Sequence, residues 1–165
     1  MSKTSFLPEG PAKPSDADLD AFWAQAKAAV PDLGDDYEVR WIGVDEPTTG
    51  LVIDLIKQRE KTGTFGLPWV LEATGQRSPK PGDAIVLIAY DGTPTLVVRL
   101  TEISQTTFGQ IGPEHTAIDG PPVRDLAIWI PLHTEHWNGI LKKYGREVSE
   151  DMPVLVEPFE LVYSA

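Results

Sequence analysis

The sequence predicts an α+β fold built around a small curled sheet, and three observations lead there. Amphipathic helical segments come first, followed by a hairpin, another helix and a closing strand, an order that differs from a repeating βαβ pattern. Asp91-Gly92 lies between two apolar runs, a strong short-range hairpin signal. The first of those runs, Ala84–Tyr90, is apolar on both faces and so must be covered on both sides, as inside a barrel or sandwich. At 165 residues with 41% hydrophobic side chains, the chain suits one domain with a sizeable core.

Each element follows in order. Residues 1–14 show no apolar periodicity and are expected to form a flexible tail, leaving 15–165 as a single domain. Ser15 is a helix N-cap with Asp16 and Asp18 in the first turn, and Leu19, Phe22, Trp23 and Ala26 recur at helical spacing until Pro31. Glu38–Val44 reads as a short strand. A second helix is expected to start near Thr48 or Thr49 and to bury Leu51, Val52, Leu55 and Ile56. Ala84–Tyr90 and Thr95–Ile103 make the hairpin. On its second strand Leu96, Val98 and Leu100 share one face, while Thr95, Val97, Arg99 and Thr101 share the other. Gly112–Pro122 reads as a loop. A helix from Asp125 carries Leu126, Trp129, Leu132, His133, Trp137, Ile140 and Leu141 and ends near Gly145, with Pro131 kinking it or marking its start. Val154–Tyr163 is the last strand, and Pro158 suggests an edge or a bulge there.

Composition narrows the function. A net charge of −11 opposes broad attraction to a nucleic-acid backbone, so long duplex DNA is not an expected partner. The charge is uneven, however. Residues 1–50 hold 4 basic and 10 acidic side chains, whereas 57–80 hold five basic (Lys57, Arg59, Lys61, Arg77, Lys80) against Glu60 and Glu72. A basic island of that size suits one small anionic ligand or a short single strand. There are no cysteines, hence no disulfides or thiolate metal sites, and no apolar run or leader that would direct the chain to a membrane. A cytoplasmic location is expected.

Few segments look like chemistry. There is no GxSxG, P-loop or GxGxxG. His133 and His136 are three apart on one helix, but no third ligand completes a metal site, and a core-packed His133 beside Trp129 and Trp137 is the simpler reading. Lys61-Thr62-Gly63-Thr64 places a lysine and two hydroxyls where a helix ends. Lys61 there either complements the helix dipole, or acts as a base that activates Thr64 as a nucleophile. Trp69 follows in an irregular segment, where its ring is available to stack on a base.

Read together, these motifs resemble the ASCH-domain family, and within it the longer bacterial members with an N-terminal helix. The resemblance rests on Lys61-Thr62-Gly63-Thr64, Trp69, and Pro81-Gly82-Asp83 opening a strand. It continues through Thr101-Glu102-Ile103 before Phe108, then Trp129, His133 and Trp137, Ser149–Val154 and the final Phe159–Tyr163, and so spans about Trp41 to Tyr163. It implies a PUA-like small mixed β-barrel with helices packed around it, and a cleft beside the lysine motif that receives RNA or a nucleoside or nucleotide. One activity implied is metal-dependent cleavage of single-stranded RNA, with Mn²⁺ or Mg²⁺ as cofactor. The alternatives are amidohydrolysis of an acylated nucleoside such as N4-acetylcytidine and a non-catalytic binding module. The resemblance carries the catalytic role to Lys61 and Thr64. Thr62, Arg59, Trp69 and Arg99 are the expected ligand-binding residues, and no residue is assigned to a metal. Two positions depart from the family pattern: Arg59 replaces a glycine, and Gly66 replaces an arginine. The glutamate that the amidohydrolase needs on the hairpin's second strand falls on Arg99, and Glu102 points to the opposite face.

Overall fold

The computed structural model describes residues 2–165. Along the chain it contains helix α1 (Asp16–Ala29), strand β1 (Glu38–Arg40), helix α2 (Glu46–Lys57), strand β2 (Gly63–Gly66), helix α3 (Pro68–Thr74), strands β3 (Ala84–Ile88), β4 (Pro94–Leu100) and β5 (Ser104–Thr107), helices α4 (Pro113–Thr116) and α5 (Leu126–Leu141), and strand β6 (Pro153–Ser164). The sheet runs β1-β3-β4-β6-β2, with β5 also paired to β6. β1 is parallel to β3 and every other pairing is antiparallel, so the sheet is mixed.

The sheet is curled. Arg40 on β1 donates from Nη1 to Glu157 Oε1 on β6 at 2.9 Å, although β3 and β4 lie between those strands. In a flat sheet β1 and β6 would be about 14 Å apart, at roughly 4.8 Å per strand. Curling brings the two side chains together across the concave face.

Both faces of the hairpin are covered, as its two-sided apolar pattern requires. Ile85, Leu87, Leu96, Val98 and Leu100 pack with Phe159 against Ile53 and Ile56 of α2. Val86, Ile88 and Val97 pack on the other side against Leu19, Phe22, Trp23 and Ala26 of α1. A third cluster joins α5 to β6 and the α3 region through Trp129, Trp137, Leu141, Met152, Val154 and Leu67. Trp129 is completely buried, and truncating such a side chain typically costs about 3–5 kcal/mol.

Several expectations hold in detail. Ser15 Oγ accepts the Asp18 N–H at 3.0 Å, and the four apolar residues of α1 are its buried ones. Asp125 caps α5 through the Ala127 N–H at 3.0 Å. Others are corrected. Residues 2–14 lie along the fold, with Leu7 buried in the α1 cluster and the Ala12 N–H donating to the Tyr90 carbonyl at 2.9 Å, so the expected free tail is pinned at both places. α2 begins two residues early because Asp45 and Thr48 form a reciprocal capping box with Pro47 in the first turn. Its buried residues are Thr49, Ile53 and Ile56, at i, i+4 and i+7, which leaves Leu51 63% exposed. Leu132 is also exposed, and Pro131 lies within α5 rather than at its start. β6 is an inner strand with partners on both sides, and the expected irregularity lies at Val162, where the register against β4 shifts, and not at Pro158. Pro158 is accommodated there because its carbonyl faces Thr101, just beyond the end of β4. Trp69 belongs to α3, which starts with Pro68 and ends on left-handed Gly75. Among the described residues no helix is long and apolar enough to cross a membrane.

Candidate functional site

The end of α2 sets the geometry of the lysine motif. The Arg59 N–H donates to the Ile56 carbonyl at 3.0 Å and the Glu60 N–H to the Leu55 carbonyl at 2.9 Å, the two bonds of a Schellman cap. That cap puts Arg59 at φ +60°, the left-handed region that glycine usually fills, at a cost of about 1–2 kcal/mol for a residue with a Cβ. The glycine that Arg59 replaces therefore has a physical basis in this turn.

Lys61 leaves the cap pointing inward. Its side chain is only 5% exposed, and Nζ donates to Asp119 Oδ1 at 2.8 Å. Asp119 is held in turn by the Gly120 N–H on Oδ1 at 3.0 Å and by Trp129 Nε1–H on Oδ2 at 3.2 Å. Arg124 ties this loop to the motif, donating from Nε to the Asp119 carbonyl at 2.8 Å and from Nη2 to the Glu60 carbonyl at 2.7 Å. Among the described residues Asp119 is the one hydrogen-bond partner of the Lys61 ammonium, which leaves two of its three N–H donors open. Lys61 also lines a groove of about 200 Å³, together with Ile56, Arg59, Thr62, Phe159, Glu160 and Leu161.

Asp119 is the functional candidate that sequence reading missed. It lies 58 residues from Lys61 in a loop rich in glycine and proline, where nothing local marks it as a partner. Arg99 does not take that place. It belongs to the α1 side of the sheet, bonded to Glu160 at 3.1 Å and Asp32 at 3.3 Å, in an acid-rich groove of about 390 Å³ that also contains Asp36, Glu38 and Asp83.

Thr64 and Lys61 are not hydrogen-bonded to each other. Thr64 is the register partner of Glu157, on the face of β2 where the Arg40–Glu157 pair lies. Phe65, its neighbour, turns the other way and packs edge-on against Trp129. Among the described residues the Thr64 hydroxyl has no partner and no buried side-chain N or O lacks one, so that hydroxyl is open to solvent. Gly66 is explained on the same face: a Cβ there would come within 2.5 Å of Glu157 Oε2. Thr62 is exposed at the groove edge, with its backbone N–H donating to the Ile118 carbonyl at 2.8 Å. Trp69 has the Arg146 guanidinium over its ring at 4.2 Å, so that face is already stacked.

His133 closes the buried side. Its ring stacks on Trp129 at 4.0 Å, and Nδ1–H donates to the Trp129 carbonyl at 2.8 Å, which leaves Nε2 as an acceptor. Burial pushes its pKa down to about 4, against the pull of the Trp129 hydrogen bond and of the Asp119 charge; Lys61 and His136 push the same way as burial. His115 Nδ1 accepts the Gly112 N–H at 2.9 Å and so belongs to the α4 turn. No group of three His, Cys, Asp or Glu side chains converges to hold a metal ion among the described residues.

A family model of the ASCH domain matches residues 40–163. The fold is similar to that of an ASCH domain from Lactobacillus crispatus JV V101, at 22% identity and a TM-score of 0.79, covering 94% of this chain and 98% of that one. It is also similar to a protein from Enterococcus faecalis V583, at 18% identity and a TM-score of 0.78, covering 88% of each chain. At these identities the likeness shows the fold alone, which is the PUA-like arrangement of helices around a curled mixed sheet. No curated protein matches the sequence significantly.

Proposed function

Because the chain belongs to the ASCH domain family over residues 40–163, we propose that the groove at Lys61 binds single-stranded RNA or a nucleotide through a phosphate group. The observation that carries this reading is the groove that Lys61 lines with exposed Arg59 and Thr62, where the Lys61 ammonium has a single partner, Asp119. A cation in a low-dielectric site attracts an anion more strongly than one in water, and Asp119 fixes its position. The same placement would stabilise charge developing on a phosphate during cleavage.

The residues do not fit a resident metal. Asp119 is the one carboxylate bonded to Lys61, and it already accepts three N–H groups. Mg²⁺ or Mn²⁺ would have to arrive largely on the phosphates of the ligand. Deacylation has less support. It needs Lys61 to take a proton from Thr64, whereas Lys61 is bonded to Asp119 and Thr64 has Glu157 as its cross-strand neighbour.

The test is binding of a fluorescein-labelled single-stranded RNA by anisotropy, with and without Mn²⁺ or Mg²⁺, for the natural protein and Lys61→Met. Loss of a charge-assisted contact worth about 1.5–3 kcal/mol predicts roughly 10- to 100-fold weaker binding in the variant. Equal affinity in a folded Lys61→Met protein would overturn the reading. Cleavage products in the same samples separate a ribonuclease from a binding module. Release of acetate from N4-acetylcytidine would revive the deacylase.

A further inference from the structure

We propose that Arg59 is a phosphate-binding residue, an arginine kept for ligand contact at a left-handed turn position where glycine would suit the fold better. This rests on the reading that the Lys61 groove takes a phosphate, and it adds the residue that closes over it. The Schellman bonds at 3.0 and 2.9 Å hold the backbone at φ +60° whatever the side chain is, so glycine would satisfy the turn better. Nothing in the fold compensates for arginine there. Its side chain is exposed and has neither an ion pair nor a hydrogen bond among the described residues. Backbone strain of this kind, held in place by its surroundings, clusters at ligand-contacting positions.

Position supplies the ligand class. Arg59 lines the groove of about 200 Å³ together with Lys61 and Thr62. That volume is below the roughly 300–1,000 Å³ of sites that enclose a whole small molecule, so it suits one group of a larger ligand. The carboxylate that lines it, Glu160, is bonded to Arg99 at 3.1 Å and leaves Arg59 unpaired. An exposed unpaired cation and a hydroxyl, beside the Lys61 that lines the same small volume, match the oxygens of a phosphate, whether a diester in a strand or the terminal group of a nucleotide.

The experiment compares the natural protein with Arg59→Gly, Arg59→Lys and Lys61→Met. Urea unfolding gives the stability of each variant. Anisotropy with a labelled single-stranded octaribonucleotide gives its affinity, and uridine 5′-monophosphate and inorganic phosphate serve as competitors. Arg59→Gly is expected to raise the urea midpoint while weakening RNA binding about 5- to 10-fold, with the slope of log K against log salt shallower by roughly 0.7. Arg59→Lys keeps the strain and the charge but loses the planar fork, and should fall between the two. Competition by the monophosphate or inorganic phosphate assigns a terminal group, and competition only by unlabelled oligomer assigns a diester. A lower urea midpoint for Arg59→Gly would show that the side chain supports the fold and would overturn the proposal. If Arg59→Gly binds like the natural protein while Lys61→Met does not, the Arg59 assignment fails and the groove reading stands. If neither variant weakens binding, both fail together.

Discussion

Asp119→Asn is the sharpest test of how the Lys61 site is built. The substitution keeps the shape of the side chain and leaves an oxygen for the Trp129 N–H, but it removes the charge opposite a lysine that is only 5% exposed. At 2.8 Å and an effective dielectric of about 20, the gross attraction is about 6 kcal/mol. Desolvation of both ions offsets much of that, so the intact pair adds little net stability. Breaking it is different, because an uncompensated buried charge typically costs about 3–5 kcal/mol. For a chain of this length that corresponds to a Tm lower by roughly 6–20 °C, read by thermal and urea unfolding followed by circular dichroism. The double variant Lys61→Met/Asp119→Leu removes both charges and should recover most of the loss, giving a coupling of several kcal/mol in the double-mutant cycle. It should remain unable to bind RNA. An Asp119→Asn protein that loses less than about 1 kcal/mol, or a double variant no better than the single, would show that the pair is not the buried, closed unit described above.

Two further predictions concern neighbouring groups. The His133 pKa is depressed to about 4 by burial, so the unfolded chain takes up a proton between about pH 6.5 and pH 4 that the folded chain refuses. Stability should therefore fall as pH drops through that window, by up to about 3 kcal/mol, and His133→Gln should flatten that part of the profile in urea titrations at pH 7 and pH 4.5. Gly66→Ala should destabilise by about 1–3 kcal/mol in urea unfolding, because its Cβ would meet Glu157 Oε2 at 2.5 Å while Arg40 holds the other oxygen. A neutral result there would mean that the Arg40–Glu157 pair shifts freely.

What the sequence determined by itself was local. The cap at Ser15, the start of α5 at Asp125, the apolar stripe of α1, the Asp91-Gly92 hairpin and the two faces of β4 are all written in neighbouring residues, where spacing of two or of three to four decides which side chains share a face. The short elements β2, α3 and β5 were harder to read, since four to seven residues carry too little periodicity to compete with nearby glycine and proline, although Pro68 and Gly75 do bracket α3. The lysine motif is visible in the sequence, but the partner of Lys61 is not. Asp119 is 58 residues away, and only the packing of its loop against the end of α2 and Trp129 brings the carboxylate to the ammonium. Arg99 was placed on the correct strand face, yet the sheet turns that face toward α1 and away from the groove. Thr64 lies one residue from Phe65 and so on the opposite side of β2, beside the Arg40–Glu157 pair that closure of the sheet creates. Side-chain type and spacing are properties of the chain. Which distant groups share one dry, charged site is set by the curl of the sheet and by the loops packed over its edges.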